Sequence, residues 1–131
     1  SLTALDVSGL TALTYLDCNS NSLTALDVSG LTALTSLVCY ANSLNSIRAV
    51  EVPGGAFYGT SASAYTSPYG SYLGITVFDN NLDANALNQL YADLADNSGG
   101  GYSLLFVGNN PGTAGDDPTI ATAKNWIVLG S

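Results

Sequence analysis

Ser1–Thr14 reads SLTALDVSGLTALT, and the same letters return without a change at Ser22–Thr35. The tails that follow, Tyr15–Asn21 (YLDCNSN) and Ser36–Asn42 (SLVCYAN), keep Leu, Cys and Asn at the same offsets, so the period is 21 residues. A unit this short cannot close a core of its own and must bury its apolar face against the copies before and after it. The repeat therefore predicts a stack of similar rungs sharing one thin core, in a chain whose 131 residues make one domain.

Within a rung, take Asn21 as the landmark. Leu13, Leu16 and Cys18 precede it, and Leu23, Leu26, Val28 and Leu31 follow. The next rung repeats the pattern with Leu34, Leu37, Cys39, Asn42, Leu44 and Ile47. Alternation around Leu16–Cys18 and again around Leu26–Val28 predicts two short strands per rung, each with period-two inward residues. Asn21 and Asn42 sit where the chain bends, and their amides are expected to bond backbone groups freed at the strand end. Cys18 and Cys39 are one period apart, hence stacked neighbours that point inward. The bland expectation is two small buried hydrophobes, and a disulfide between them is awkward in geometry.

These residues resemble the bacterial leucine-rich repeat, specifically its short 21-residue variety with the Leu-x-x-Leu-Asp-Leu second half (the IRREKO type), which stands here as Leu-x-x-Leu-Asp-Val. The match is dense over 1–49. The resemblance implies an α/β solenoid: a right-handed stack of parallel strands whose usual work is binding proteins or glycans, without catalysis. Repeats worded this way are similar to those of bacterial surface proteins and of some phage-encoded structural proteins.

Beyond residue 49 the interval lengthens. Tyr72, Ile75, Val77, Asn80 and Leu82 restore the register, and Leu104, Phe106, Asn109 and Pro111 are read as restoring it again. The first interval is filled by PGGAFYGTSASAYTSPYGS, Pro53–Ser71, too rich in Gly, Ser and Pro for helix or strand. It reads as an inserted loop, and its Phe57, Tyr58, Tyr65 and Tyr69 are candidate contacts for a sugar or a partner protein. The remainder, 72–131, reads as longer, helix-containing rungs with a C-terminal cap. Asp83 is a good N-cap before Leu87, Leu90, Tyr91 and Leu94, which form one apolar stripe at helical spacing. Asp117-Pro118 opens a second short helix through about Lys124, and Trp126–Leu129 reads as a closing strand. The order of Asn-Leu, Asn-Pro-Gly and Ala-x-x-Lys-x-Trp in this tail resembles the closing segment of bacterial leucine-rich-repeat proteins.

Charge narrows the partners. The net charge is −8, yet only 9% of residues are charged, and Arg48 and Lys124 are the only cations. A phosphate backbone is repelled by such a surface, which excludes nucleic acid, and an anionic membrane surface is disfavoured for the same reason. No apolar run approaches the ~18 residues of a membrane span. The opening SLTALD has neither the basic nor the apolar region of a secretion signal.

Catalysis has little to work with, since the sequence contains no His. Asp79, Asn81, Asp83 and Asn85 have the alternate spacing that opens a calcium loop, but Ala84 stands where such a loop needs Gly, and Leu90 where it needs Glu. No cofactor or metal is implied. The more informative residues alternate with the inward ones. Their columns read Asp17, Val38, Thr76, Leu105 and Asn19, Tyr40, Phe78, Val107, turning from polar to apolar along the stack. Val38, Tyr40, Phe78, Leu105 and Val107 are thus the candidate binding strip. Asp27 and Arg48 fall in one column and are expected to pair. At the start, Leu2, Leu5, Val7 and Leu10 form an apolar row that something must cover, an upstream segment or a neighbouring subunit.

Two functions follow as expectations. One is a recognition module of an extracellular, cell-surface or virion-surface protein, contacting protein or glycan. The other is a structural subunit of a filament or virion fibre, assembling with itself or another subunit through the Leu2–Leu10 edge and the strip.

Overall fold

The structure, a computed structural model, describes residues 2–53, 74–99 and 102–130. It is α/β, and every strand pair among the described residues is parallel. In chain order the elements are β1 (Tyr15–Asp17), β2 (Ala25–Asp27), β3 (Ser36–Val38), β4 (Ser46–Arg48), β5 (Gly74–Thr76), α1 (Ala84–Asp93), β6 (Ser103–Phe106), α2 (Thr119–Thr122) and β7 (Trp126–Leu129). A 3-10 turn, Pro111–Ala114, lies between β6 and α2. The strands form a five-stranded sheet in the order β1-β3-β5-β6-β7 and a two-stranded sheet, β2-β4.

The sheet order is the repeat made visible: the first strand of each unit pairs with the first strand of the next. Leu16 lies beside Leu37, Leu37 beside Ile75, Ile75 beside Leu105, and Leu105 beside Val128. One backbone bond recurs at every step. Cys18 N donates to Val38 O at 2.8 Å, Cys39 N to Thr76 O at 3.0 Å, Val77 N to Phe106 O at 2.9 Å and Val107 N to Leu129 O at 2.9 Å. Leu37, Cys39, Ile75, Val77, Leu105 and Val107 are fully buried in the column this creates. Each such side chain contributes roughly 1.5–3 kcal/mol of burial.

The bend after each strand is held by the predicted amides. The side-chain oxygens of Asn21, Asn42 and Asn80 accept from the backbone N–H of Leu2, Leu23 and Leu44, at 2.9, 3.0 and 2.9 Å. The fourth member is Asn110, which accepts from Leu82 N at 3.0 Å. Each Nδ2 returns to the carbonyl three residues earlier, and in the inner layers also to the matching carbonyl of the preceding layer. The residues just before them, Ser20, Ala41, Asp79 and Asn109, all have φ between 55° and 59°. Asn109 therefore occupies the left-handed corner that Asn tolerates, and the expected landmark at Asn109 is corrected to Asn110.

The second half of the layer changes element along the chain. LTALDV supplies strand β2 in its second copy, though not in the first at 2–7, whereas Asp83–Leu94 carries its apolar residues at helical spacing and becomes α1 beside β4. Asp83 caps it as expected, its carboxylate accepting from Ala86 N at 2.8 Å. Leu87, Leu90, Tyr91 and Leu94 are all buried. Lys124 closes the other end, its ammonium donating to the carbonyls of Tyr91, Ala92 and Leu94 at 3.2, 2.7 and 2.9 Å, where the helix dipole favours a cation. Trp126 is buried as the closing strand requires, with Nε1 donating to Ala95 O at 2.9 Å.

Asp27 and Arg48 lie side by side in the β2–β4 register, as expected, but Arg48 makes its ion pair elsewhere. Its guanidinium forks onto Asp93 at the end of α1, Nε to Oδ2 at 2.7 Å and Nη2 to Oδ1 at 3.0 Å. Asp93 lies beneath it with 4% of its side chain exposed, and also accepts from Ala49 N and Gln89. A helix in place of a third second-half strand brings this carboxylate to Arg48, whereas the neighbouring Asp27 is exposed.

Candidate outer-face site

Side chains alternate across the five-stranded sheet, so the residues between the core positions form its outer face. One column runs Asp17, Val38, Thr76, Phe106, Leu129 by direct pairing. The next runs Asn19, Tyr40, Phe78, Gly108, tied by the bonds Ser20 N to Tyr40 O, Ala41 N to Phe78 O and Asp79 N to Gly108 O.

Of the expected strip, Val38, Tyr40 and Phe78 stand on this face, each partly exposed. Leu105 and Val107 do not: both are fully buried on the core side. Their place is taken by Phe106, with Leu129 beyond it, both partly exposed. The expected inward column of Leu104 and Phe106 is displaced by one residue: Leu105 and Val107 join the main core, while Leu104, in register with Gly74 and Ile127, is fully buried outside that cluster. The polar-to-apolar trend survives with the corrected members.

Tyr40 and Phe78 stack face to face, with ring centroids 4.7 Å apart and planes within 6°. That separation is the spacing of neighbouring strands, so the sheet itself sets the stack. The stack stops at Gly108, where no side chain follows. There the face opens into an apolar cleft of about 290 Å³ lined by Phe78, Phe106, Gly108, Asn109, Leu129 and Gly130. Gly108 and Gly130 approach closely: a Cβ on Gly130, whose φ is +90°, would lie 2.6 Å from the Gly108 backbone. Asn109 at the rim donates from Nδ2 to Asp79 Oδ1 at 2.8 Å. The cleft was not foreseen, although a Gly in register with two aromatics signals it once Asn110 is taken as the landmark. Thr76, in the adjoining column, is buried, and its hydroxyl makes no hydrogen bond among the described residues.

The other expected sites fare unequally. Phe57, Tyr58, Tyr65 and Tyr69 lie outside the described residues. At the start of the stack, Leu2 is 47% and Leu10 50% exposed, whereas Leu5 is half-buried. Val7 is buried in the core cluster and needs no further cover, which corrects its place in the expected edge.

Cys18 and Cys39 are both buried, unpaired thiols; burial, and then the Asp17 charge, push Cys18 up to about 11, and burial drives Cys39 well above the ordinary thiol range. Such thiols remain protonated near neutrality. No group of three His, Cys, Asp or Glu among the described residues is placed to hold a metal ion. Asp79 and Asp83, the two carboxylates of the calcium-like spacing, are bonded to Asn109 and to the start of α1. No helix among the described residues is long and apolar enough to cross a membrane. Comparison of the chain with protein-family models, with curated proteins and with solved structures gives no match.

Proposed function

We propose that the chain is a non-catalytic recognition module of the leucine-rich-repeat type, a right-handed solenoid with its helices on the convex side. In this reading it binds a partner protein through the outer face of the five-stranded sheet, on an extracellular, cell or virion surface. The observation that carries it is the strip Val38, Tyr40, Phe78, Phe106 and Leu129, a set of partly exposed apolar side chains gathered on one face of the sheet. Exposed apolar area of this kind commonly marks an interface, and stacked aromatics supply large contact area at small entropic cost. A protein partner suits the strip better than a glycan, because ring hydroxyls need hydrogen-bonding partners and the strip has few.

Selection from a displayed random-peptide library, with a glycan array alongside, tests this. Binders to the wild-type chain that are lost on Phe78→Asp support it; binders that all survive Phe78→Asp contradict it.

The second reading, a structural subunit, is favoured by one observation, the exposure of the apolar Leu2 and Leu10 in the opening segment. These side chains offer contacts for a further segment or subunit. Concentration-dependent growth in mass, abolished by Leu10→Asp, is its signature, and a constant monomer mass is its refutation.

A further inference from the structure

The cleft beside Phe78 has a simple origin. In the column Asn19, Tyr40, Phe78, Gly108, two rings stack at the strand spacing, and the third ring is missing because position 108 is Gly. The space left, about 290 Å³, is at the lower bound of small-molecule pockets and fits one large side chain better than a multi-ring ligand. Its walls are apolar rings, Leu129 and two glycines, and its one polar side chain, Asn109, is already bonded to Asp79. A sugar placed there would leave hydroxyls unpaired, whereas an aromatic side chain would continue the stack.

Charge identifies what surrounds that side chain. All twelve charged residues of the chain, ten acidic and two basic, lie in the described portion. Both cations are engaged: Arg48 on Asp93, and Lys124 on three carbonyls at the end of α1. The remaining carboxylates set a negative field, and Asp79 stands at the rim of the cleft. A second copy of this chain, also at −8, is repelled by that field, whereas a basic segment is drawn to it.

We propose that this cleft receives an aromatic side chain from a basic peptide segment of a partner protein, the ring stacking on Phe78 where Gly108 leaves room. The proposal rests on the recognition reading above and names the partner's chemistry.

The test uses the full chain and end-capped fluorescent peptides: Lys-Lys-Phe-Lys-Lys, Lys-Lys-Ala-Lys-Lys and Glu-Glu-Phe-Glu-Glu, followed by fluorescence anisotropy. The Phe-containing basic peptide is expected to bind at least about tenfold tighter than either of the others, and to weaken as salt shortens the Debye length. The decisive variant is Gly108→Leu. A Cβ at Gly108 meets nothing closer than 3.7 Å, and its φ lies outside the left-handed range, so the substitution fills the cleft without a backbone clash or a change of charge. It is expected to reduce the Phe peptide to the level of the Ala peptide. Gly108→Ala, which only narrows the cleft, is the control for folding and should keep most of the preference.

Equal binding of the Phe and Ala basic peptides overturns the proposal, as does undiminished binding by folded Gly108→Leu. Binding lost on Tyr40→Ser but kept in Gly108→Leu also overturns it while leaving recognition by the strip intact. Binding of no peptide, together with self-association relieved by Gly108→Leu, assigns the cleft to a second copy and defeats both ideas.

Discussion

Replacing Asn80 by Ala isolates the device that locks one layer to the next. Asn80 is buried, accepts from Leu44 N at 2.9 Å, and donates to Cys39 O at 3.1 Å and Val77 O at 3.0 Å. The two carbonyls keep other donors, since Asn42 reaches Cys39 O and Asn110 reaches Val77 O. The Leu44 N–H has no such substitute and becomes an orphan in the interior. An unsatisfied buried donor costs about 1–3 kcal/mol. With a small cavity added, the expected loss is about 3 kcal/mol, a fall in Tm on the order of 10 °C for a chain this size. Asn21→Ala is the comparison, because its partner Leu2 N lies at the exposed end and Cys18 O retains Asn42. It should cost only about 0.5–1 kcal/mol, the net worth of an ordinary hydrogen bond. Asn80→Asp keeps the acceptor but turns a carboxylate oxygen toward two carbonyls, so its loss should shrink as pH falls and the side chain takes up a proton. Urea titrations followed by far-ultraviolet circular dichroism give all three values. Equal losses for Asn21→Ala and Asn80→Ala would refute the idea that the amides bridge successive layers.

The ion pair, the register and one glycine give further tests. Burial raises the Asp93 carboxyl, but hydrogen bonds from Arg48, Ala49 N and Gln89, with the Arg48 charge, more than offset this and hold it below the usual range. Its contribution is therefore present above the unfolded-state value and lost as pH falls through the lower folded value, below about pH 4. Arg48→Ala should move that loss to higher pH and Asp93→Asn should flatten it, as read from urea midpoints across the acid range. Leu105→Asp should unfold the chain, a buried carboxylate costing several kcal/mol, while Phe106→Asp should leave it folded, as circular dichroism will show. Gly74→Ala places a Cβ 2.0 Å from Leu104 O, so it should break the β5–β6 pairing and sharply lower Tm.

The layers were legible because the repeat specifies its register twice over. A Leu alternating with polar neighbours fixes which face is buried, and one Asn per period fixes the bend. The same two signals fail in the last long interval. Leu104, Leu105, Phe106 and Val107 are all apolar, so alternation does not say which pair faces inward, and a slip of one residue reverses every side chain. Asn109 and Asn110 are both Asn, so the landmark is ambiguous as well. Backbone geometry resolves it: only one of the two can take the left-handed corner while the other turns its amide inward. The Arg48–Asp93 pair was hidden because its members are 45 residues apart and meet only once α1 has replaced a strand. The cleft was hidden by the same slip, since Gly108 lines up with Phe78 only in the true register.

Methyl-to-methyl nuclear Overhauser effects in a selectively labelled sample test that register most directly. Parallel layers stacked in chain order place contacts between Leu16 and Leu37, Leu37 and Ile75, Ile75 and Leu105, and Leu105 and Val128. Cross-peaks joining Ile75 to Leu104 in place of Leu105, or none between Leu37 and Ile75, would contradict the stacking on which the outer face and its cleft depend.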